Sequence, residues 1–134
     1  MIRHLGVDYG SRRVGLALSD GLGLIAHPLA VVDAADAVDE IARLVVEEDV
    51  GTIVVGLPTG LGGTEGPSAE GARALAEQLG TLDGVDVVLF DERFTSRIAE
   101  QTLLDQGVKR RERRAIVDKV AASILLQEYL DNHR

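Results

Sequence analysis

The sequence of 134 residues contains no cysteine. That single absence removes disulfides, thiolate nucleophiles and zinc–thiolate sites together, and it agrees with a reducing compartment. Aromatic residues make up only 3%, so a core has to be assembled from Val, Leu, Ile and Ala. No apolar run approaches the roughly 18 residues that a membrane span requires, so no membrane partner is expected. The opening Met1-Ile2-Arg3-His4-Leu5-Gly6-Val7 reads as a strand and has no signal-peptide organisation, which makes a cytoplasmic location the expectation. Hydrophobic residues reach 46%, too many for a disordered chain. The length suits a single domain over residues 1–134 that buries its own core.

Charge is unevenly spread. The net value is −8, which on its own disfavours a polyanionic ligand. Yet the span from Arg93 to Lys119 holds eight basic residues against four acids, a local +4 that leaves −12 on the remainder. The bases are Arg93, Arg97, Lys109, Arg110, Arg111, Arg113, Arg114 and Lys119. Such a patch on an acidic body can bind phosphate; it is equally the signature of a solvated helix face.

Hydrophobic periodicity divides the chain. Ile2–Asp8, Val14–Ser19 and Leu24–Val32 read as strands joined by tight turns, hence an antiparallel meander. Pro28 marks the third as an edge or irregular strand. Over Asp33–Asp49 the period changes: Val38, Ile41, Ala42 and Val45 recur at helical spacing. Thr52–Gly56 is a β-branched run suited to a buried strand. Leu57–Ser68, rich in Gly and Pro, reads as a loop. A helix over Glu70–Leu79 is stopped by Gly80, and Val85–Phe90 is a fifth strand. Thr95 or Ser96 can cap a helix running to Gln106 with Gly107 as its stop. Arg111–Leu130 forms the last helix. The order β-β-β-α-β-α-β-α-α predicts an α/β fold: a five-stranded mixed sheet, a three-strand meander plus two parallel strands, flanked by helices.

Three acids could carry chemistry. Asp8 ends an apolar strand just before Gly10, where an unpaired carboxylate is costly but can hold a cation; the plain alternative is an Asx turn closing a hairpin. Asp91-Glu92-Arg93-Phe94-Thr95-Ser96 follows the fifth strand. Adjacent strand residues point to opposite faces, so only one of Asp91 and Glu92 can readily face Asp8, and both could instead serve the next helix N-terminus. Asp118 lies on the last helix with Ala115, Ala121, Ala122 and Arg114 on the same face. Small residues there let the helix approach a sheet, although Asp118 could simply pair with Arg114. Each acid alone reads as structural. Together, two strand-end acids and one helix acid can converge at one end of a sheet. Carboxylate oxygens suit Mg²⁺ or Mn²⁺, and two such ions about 3.5–4 Å apart support phosphodiester hydrolysis. Lys119, Arg93 and Arg97 could neutralise phosphate nearby.

These elements carry a resemblance. Gly6-Val7-Asp8-Tyr9-Gly10, Val55-Gly56-Leu57-Pro58, Gly63-Thr64-Glu65-Gly66, Asp91-Glu92-Arg93-Phe94-Thr95-Ser96, Asp118-Lys119-Val120-Ala121-Ala122 and the ending Ile124–Leu130 resemble, in order and spacing, the YqgF/RuvX family of pre-16S rRNA nucleases and Holliday junction resolvase-like proteins. The resemblance spans essentially the whole chain. It implies an RNase H-like fold, action on the 5′ end of precursor 16S rRNA, a divalent ion (Mg²⁺ or Mn²⁺), and Asp8, Glu92 and Asp118 as the acids. The preference for Glu92 over Asp91 comes from the resemblance alone. Many RNase H-like nucleases add a fourth acid at the end of the fourth strand, where this chain has Gly56-Leu57-Pro58. On this reading Arg93, Arg97, the cluster Lys109, Arg110, Arg113 and Arg114, and Lys119 hold the backbone of a structured RNA within a ribosomal precursor. Branched DNA is the rival substrate, and the chain acts as a monomer or homodimer.

Other features read differently. Leu61–Gly66 lacks the ending of a Walker loop. His4, His27 and His133 show no ligand spacing, and His133 falls in a tail expected to fray. Tyr9 sits beside the candidate site and could stack on a base or pack in the core. Two further functions stay open at this level: a nucleotide-binding module, since Asp-x-Gly-Ser before a hairpin is similar to an actin-like phosphate loop, and a non-catalytic ribosome-assembly factor.

Overall fold

The computed structural model describes residues 2–57, 67–91 and 110–133, giving the backbone alone at 67–68 and 110–119. The meander is β1 (Arg3–Asp8), β2 (Arg13–Ser19) and β3 (Ala26–Asp33). A 3-10 turn at Ala34–Asp36 leads into α1 (Ala37–Glu47). Then come β4 (Val50–Leu57), α2 (Pro67–Leu79), β5 (Asp86–Asp91) and α3 (Arg110–Asn132). The helix expected from Thr95 or Ser96 to Gln106 lies outside the described residues, as does most of the loop expected over Leu57–Ser68, whose last two residues belong to α2.

Among the described residues, five strands make one sheet in the order β3-β2-β1-β4-β5. β1 and β2 pair antiparallel, as do β2 and β3; β1–β4 and β4–β5 are parallel. This is the mixed sheet that the periodicity predicts. Differences fall at element ends. β3 starts at Ala26 because Asp20 Oδ1 accepts from Leu24 N at 2.8 Å and Ile25 N at 3.3 Å, holding the chain in a turn until that point. The helix expected from Glu70 begins at Pro67, whose fixed φ and missing N–H suit a first helical position.

Alternation along the strands sorts side chains onto two faces. Leu5, Val7, Leu16, Leu18, Ile53 and Val55 pack with Ile41 and Leu44 of α1 and Leu75 and Leu79 of α2. Ala17 and Val54 pack with Ala122, Leu126 and Leu130 of α3, joined by Phe90 and Tyr129. Burial on both faces is why β1 and β4 read as continuous apolar runs. The α3 face is built from small residues. A Cβ on Gly6 would lie 2.8 Å from Leu126 Cβ and 3.0 Å from the Ala122 carbonyl, so helix and strand backbones meet there. Gln127 ties α3 to the β2–β3 hairpin, accepting from Ala26 N and donating to Leu24 O, both at 2.9 Å.

Candidate active site

Because β1, β4 and β5 are parallel, their C-terminal residues Asp8, Leu57 and Asp91 lie at one end of the sheet. Asp8 is half-buried and stands opposite Gly15 of β2. It shares its face with Gly6, the residue in contact with α3. At the other end of β1, His4 packs against Tyr129 near the α3 C-terminus, with ring centroids 6.0 Å apart. The helix therefore runs antiparallel to β1, and its N-terminal turns lead towards Asp8. Residue 118 belongs to α3, one turn before Ala122 on the stripe that continues through Leu126 and Leu130.

Asp91 is on the other face. Within β5, Val87 packs into the α1/α2 core while Phe90 packs on the α3 side. Asp91 is paired in register with Leu57, itself part of the α1/α2 core. Strand alternation therefore separates Asp91 from Asp8 by the thickness of the sheet.

Of the other residues expected at the site, Glu92, Arg93, Arg97 and Lys109 lie outside the described residues. Arg110, Arg113, Arg114, Asp118 and Lys119 are on the α3 backbone, with side chains outside the description. No group of three His, Cys, Asp or Glu able to hold a metal occurs among the described residues.

The surroundings of Asp8 fit a hard cation. Gly15 stands opposite it, and Gly6, two residues back on the same face, is where α3 meets the strand, so the carboxylate sits at the mouth between β1 and α3, and an oxygen donor of this kind suits a hard cation. None of the three histidines is at this end: His4 packs against Tyr129 and His133 stacks on it, and His27 is paired with Leu18 towards the start of β1. The donors available are oxygens.

Two residues turn out differently from, or more definitely than, the sequence suggests. Tyr9 faces away from Asp8; its ring packs on the α2 backbone at Gly71, where an added Cβ would come within 2.5 Å of Cζ. Core packing is thus its role, and the lone glycine inside the α2 pattern is the signal that could have shown it. His133 is not a frayed end. Its ring stacks on Tyr129 with centroids 4.0 Å apart, and its Nδ1 lies 2.8 Å from the Tyr129 carbonyl.

The family model for RuvX, described as Holliday junction resolvase, matches residues 2–132. This chain belongs to the RuvX family. It is 46% identical over 133 residues to an Anaeromyxobacter protein named "Putative pre-16S rRNA nuclease", covering 97% of each chain. A Listeria innocua protein of the same name is 41% identical over 135 residues, covering 97% of this chain and 98% of that one. In fold, this RuvX-family chain is similar to Thermus thermophilus RuvC solved with a Holliday junction substrate, with a TM-score of 0.59, 14% identity and coverage of 99% and 96%. The fowlpox virus Holliday junction resolvase gives a TM-score of 0.57 at 13% identity, covering 98% and 99%. The sheet order and these neighbours make the fold RNase H-like, as the resemblance implies. No helix among the described residues is long and apolar enough to cross a membrane.

Proposed function

We propose that this chain is a cytoplasmic, divalent-metal-dependent nuclease that processes the 5′ end of pre-16S rRNA. The observation that carries the reading is Asp8: a half-buried carboxylate ending the central strand, on the face closed by α3, with glycines around it. Asp8, Glu92 and Asp118 would hold the ion, Mg²⁺ or Mn²⁺. Such an ion neutralises charge on a phosphodiester and acidifies water. The position of residue 118 supports the set: one helical turn before Ala122 rises about 6 Å, close to the ~6.6 Å that two strand residues span from Gly6 to Asp8. The opposite facing of Asp91 supports Glu92 as the strand-end acid. Family membership and the names of the relatives support the reaction and the rRNA substrate. Arg93, Arg97, Lys109, Arg110, Arg113, Arg114 and Lys119 would take the RNA backbone.

The family description favours a second substrate, a DNA four-way junction, cut at the same acids. The test is cleavage of a pre-16S-like RNA and a four-way junction side by side by wild type and Asp8→Asn in Mg²⁺ or Mn²⁺. The expected result is RNA cleavage that Asp8→Asn abolishes while circular dichroism and thermal unfolding stay those of the wild type. Full activity of Asp8→Asn overturns the mechanism, and cleavage of the junction alone overturns the substrate.

A further inference from the structure

The β1–β2 turn, residues 9–12, leaves the same end of the sheet as Asp8. Its backbone is held from three sides. Tyr9 packs on α2 at Gly71. Gly10 is pressed against the Arg13 carbonyl so closely that no side chain fits between them. The Arg12 carbonyl accepts from Ala34 N at 2.8 Å, fixing the turn to the β3–α1 junction.

The side chain of Arg12 stands apart from the other described cations. Arg3 pairs with Glu48 at 2.9 Å, and Arg43 spans Glu40 and Glu47 at 2.6 Å each. Arg13 and Arg73 also have partners. Arg12 is exposed, and among the described residues it is the one Lys or Arg whose side chain makes no ion pair or hydrogen bond. In a chain with 22 acids against 14 bases, an exposed guanidinium is readily drawn onto a neighbouring carboxylate. Asp33 and Asp36 are in the same corner, yet Arg12 engages neither.

We propose that Arg12 is a contact for a nucleic-acid backbone phosphate, separate from the basic span 93–119. The assignment rests on the nuclease reading of Asp8. Four residues of chain reach at most about 14 Å, and successive phosphates on one strand rise about 3.4 Å. The Arg12 backbone is therefore within about 14 Å of Asp8, close enough for one bound strand to pass both. A guanidinium takes phosphate oxygens in pairs. With the turn backbone already fixed, binding orders only this side chain. The exposed hydroxyl of Ser11 beside it adds a donor.

The experiment measures binding in an Asp8→Asn background, with the full chain, on the pre-16S-like RNA and on a DNA four-way junction, across a salt series. Arg12→Gln is expected to weaken binding about 10-fold and to flatten the slope of log K against log salt by about 0.7–0.9. Arg12→Lys should restore the slope but only part of the affinity, because an ammonium is a point charge. The melting temperature should not move, since Arg12 holds nothing in the fold. With Asp8 intact, Arg12→Gln should raise KM by more than it lowers kcat. An unchanged slope on both substrates, no binding of either substrate, or an affinity loss matched by a lower melting temperature overturns the assignment. If Asp8→Asn cleaves like wild type, the nuclease reading fails instead, and the salt slope still decides Arg12.

Discussion

Gly6 and Leu126 bring the central strand and the last helix into backbone contact: a methyl group on Gly6 would sit 2.8 Å from Leu126 Cβ and 3.0 Å from the Ala122 carbonyl. The second of these is main chain and cannot rotate away. Gly6→Ala must therefore push α3 off the sheet. Overpacking of this kind costs about 1–3 kcal/mol. Since the same helix carries residue 118, nuclease activity should fall further than the fraction unfolded explains. Urea denaturation beside a cleavage assay checks both; stability within 0.5 kcal/mol of wild type would show that α3 yields without cost.

Much of this contact is latent in the sequence. The 3.6-residue spacing of Ala122, Leu126 and Leu130 marks one helix face, and Gly6 sits in an otherwise apolar strand. What pattern does not provide is the partner: period 2 fixes that His4, Gly6 and Asp8 share a face, and only the sheet order decides that α3 covers it. The same limit explains Asp91 and Glu92. Alternation states that neighbouring strand residues oppose each other, but which face Asp91 takes is set by Phe90 packing against Tyr129, with ring centroids 5.8 Å apart. Short-range chemistry also moved the element ends, as Asp20 does in delaying β3.

The two adjacent acids should separate cleanly. Asp91 shares the α2 face with Leu57 and Val87, so Asp91→Asn should keep most of the cleavage rate, whereas Glu92→Gln should lose it. Mn²⁺ titration of the two variants provides an activity-independent readout. Loss of metal affinity in Asp91→Asn with retention in Glu92→Gln would reverse the assignment.

Tyr9 and Gly71 allow a test of packing against propensity. Replacing a helical glycine by alanine gains about 1 kcal/mol. Here the new methyl meets the Tyr9 ring, and relieving that overlap costs about 1–3 kcal/mol. Gly71→Ala should therefore be destabilising by about 1 kcal/mol net. In a Tyr9→Leu background the ring is gone and the same change should become stabilising. A double-mutant cycle by urea unfolding measures the coupling; additive effects would mean that ring and helix do not share this space.

Acid sensitivity should originate at the C-terminal end of α3, where His4 meets Tyr129. Burial, with the nearby His133, holds the His4 pKa below its ordinary value of 6.5, and its buried Nδ1 has no hydrogen-bond partner among the described residues. The unfolded chain thus binds this proton more readily than the folded one, so stability rises with pH across the window below 6.5. It is fully present above about pH 6.5 and declines as pH falls towards the folded value. The groups around the ring are the Tyr129 face, His133 through its stack on Tyr129, and the hairpin at Gly23; none of these described groups is an acid that could stabilise a charged imidazole. His4→Phe keeps the ring contact with Tyr129 and removes the titration. The melting temperature of wild type should then drop more steeply than that of His4→Phe between pH 7.5 and about 5.5, the variant gaining relative stability as acid is added. Parallel curves for the two proteins would show that His4 is not the group being protonated.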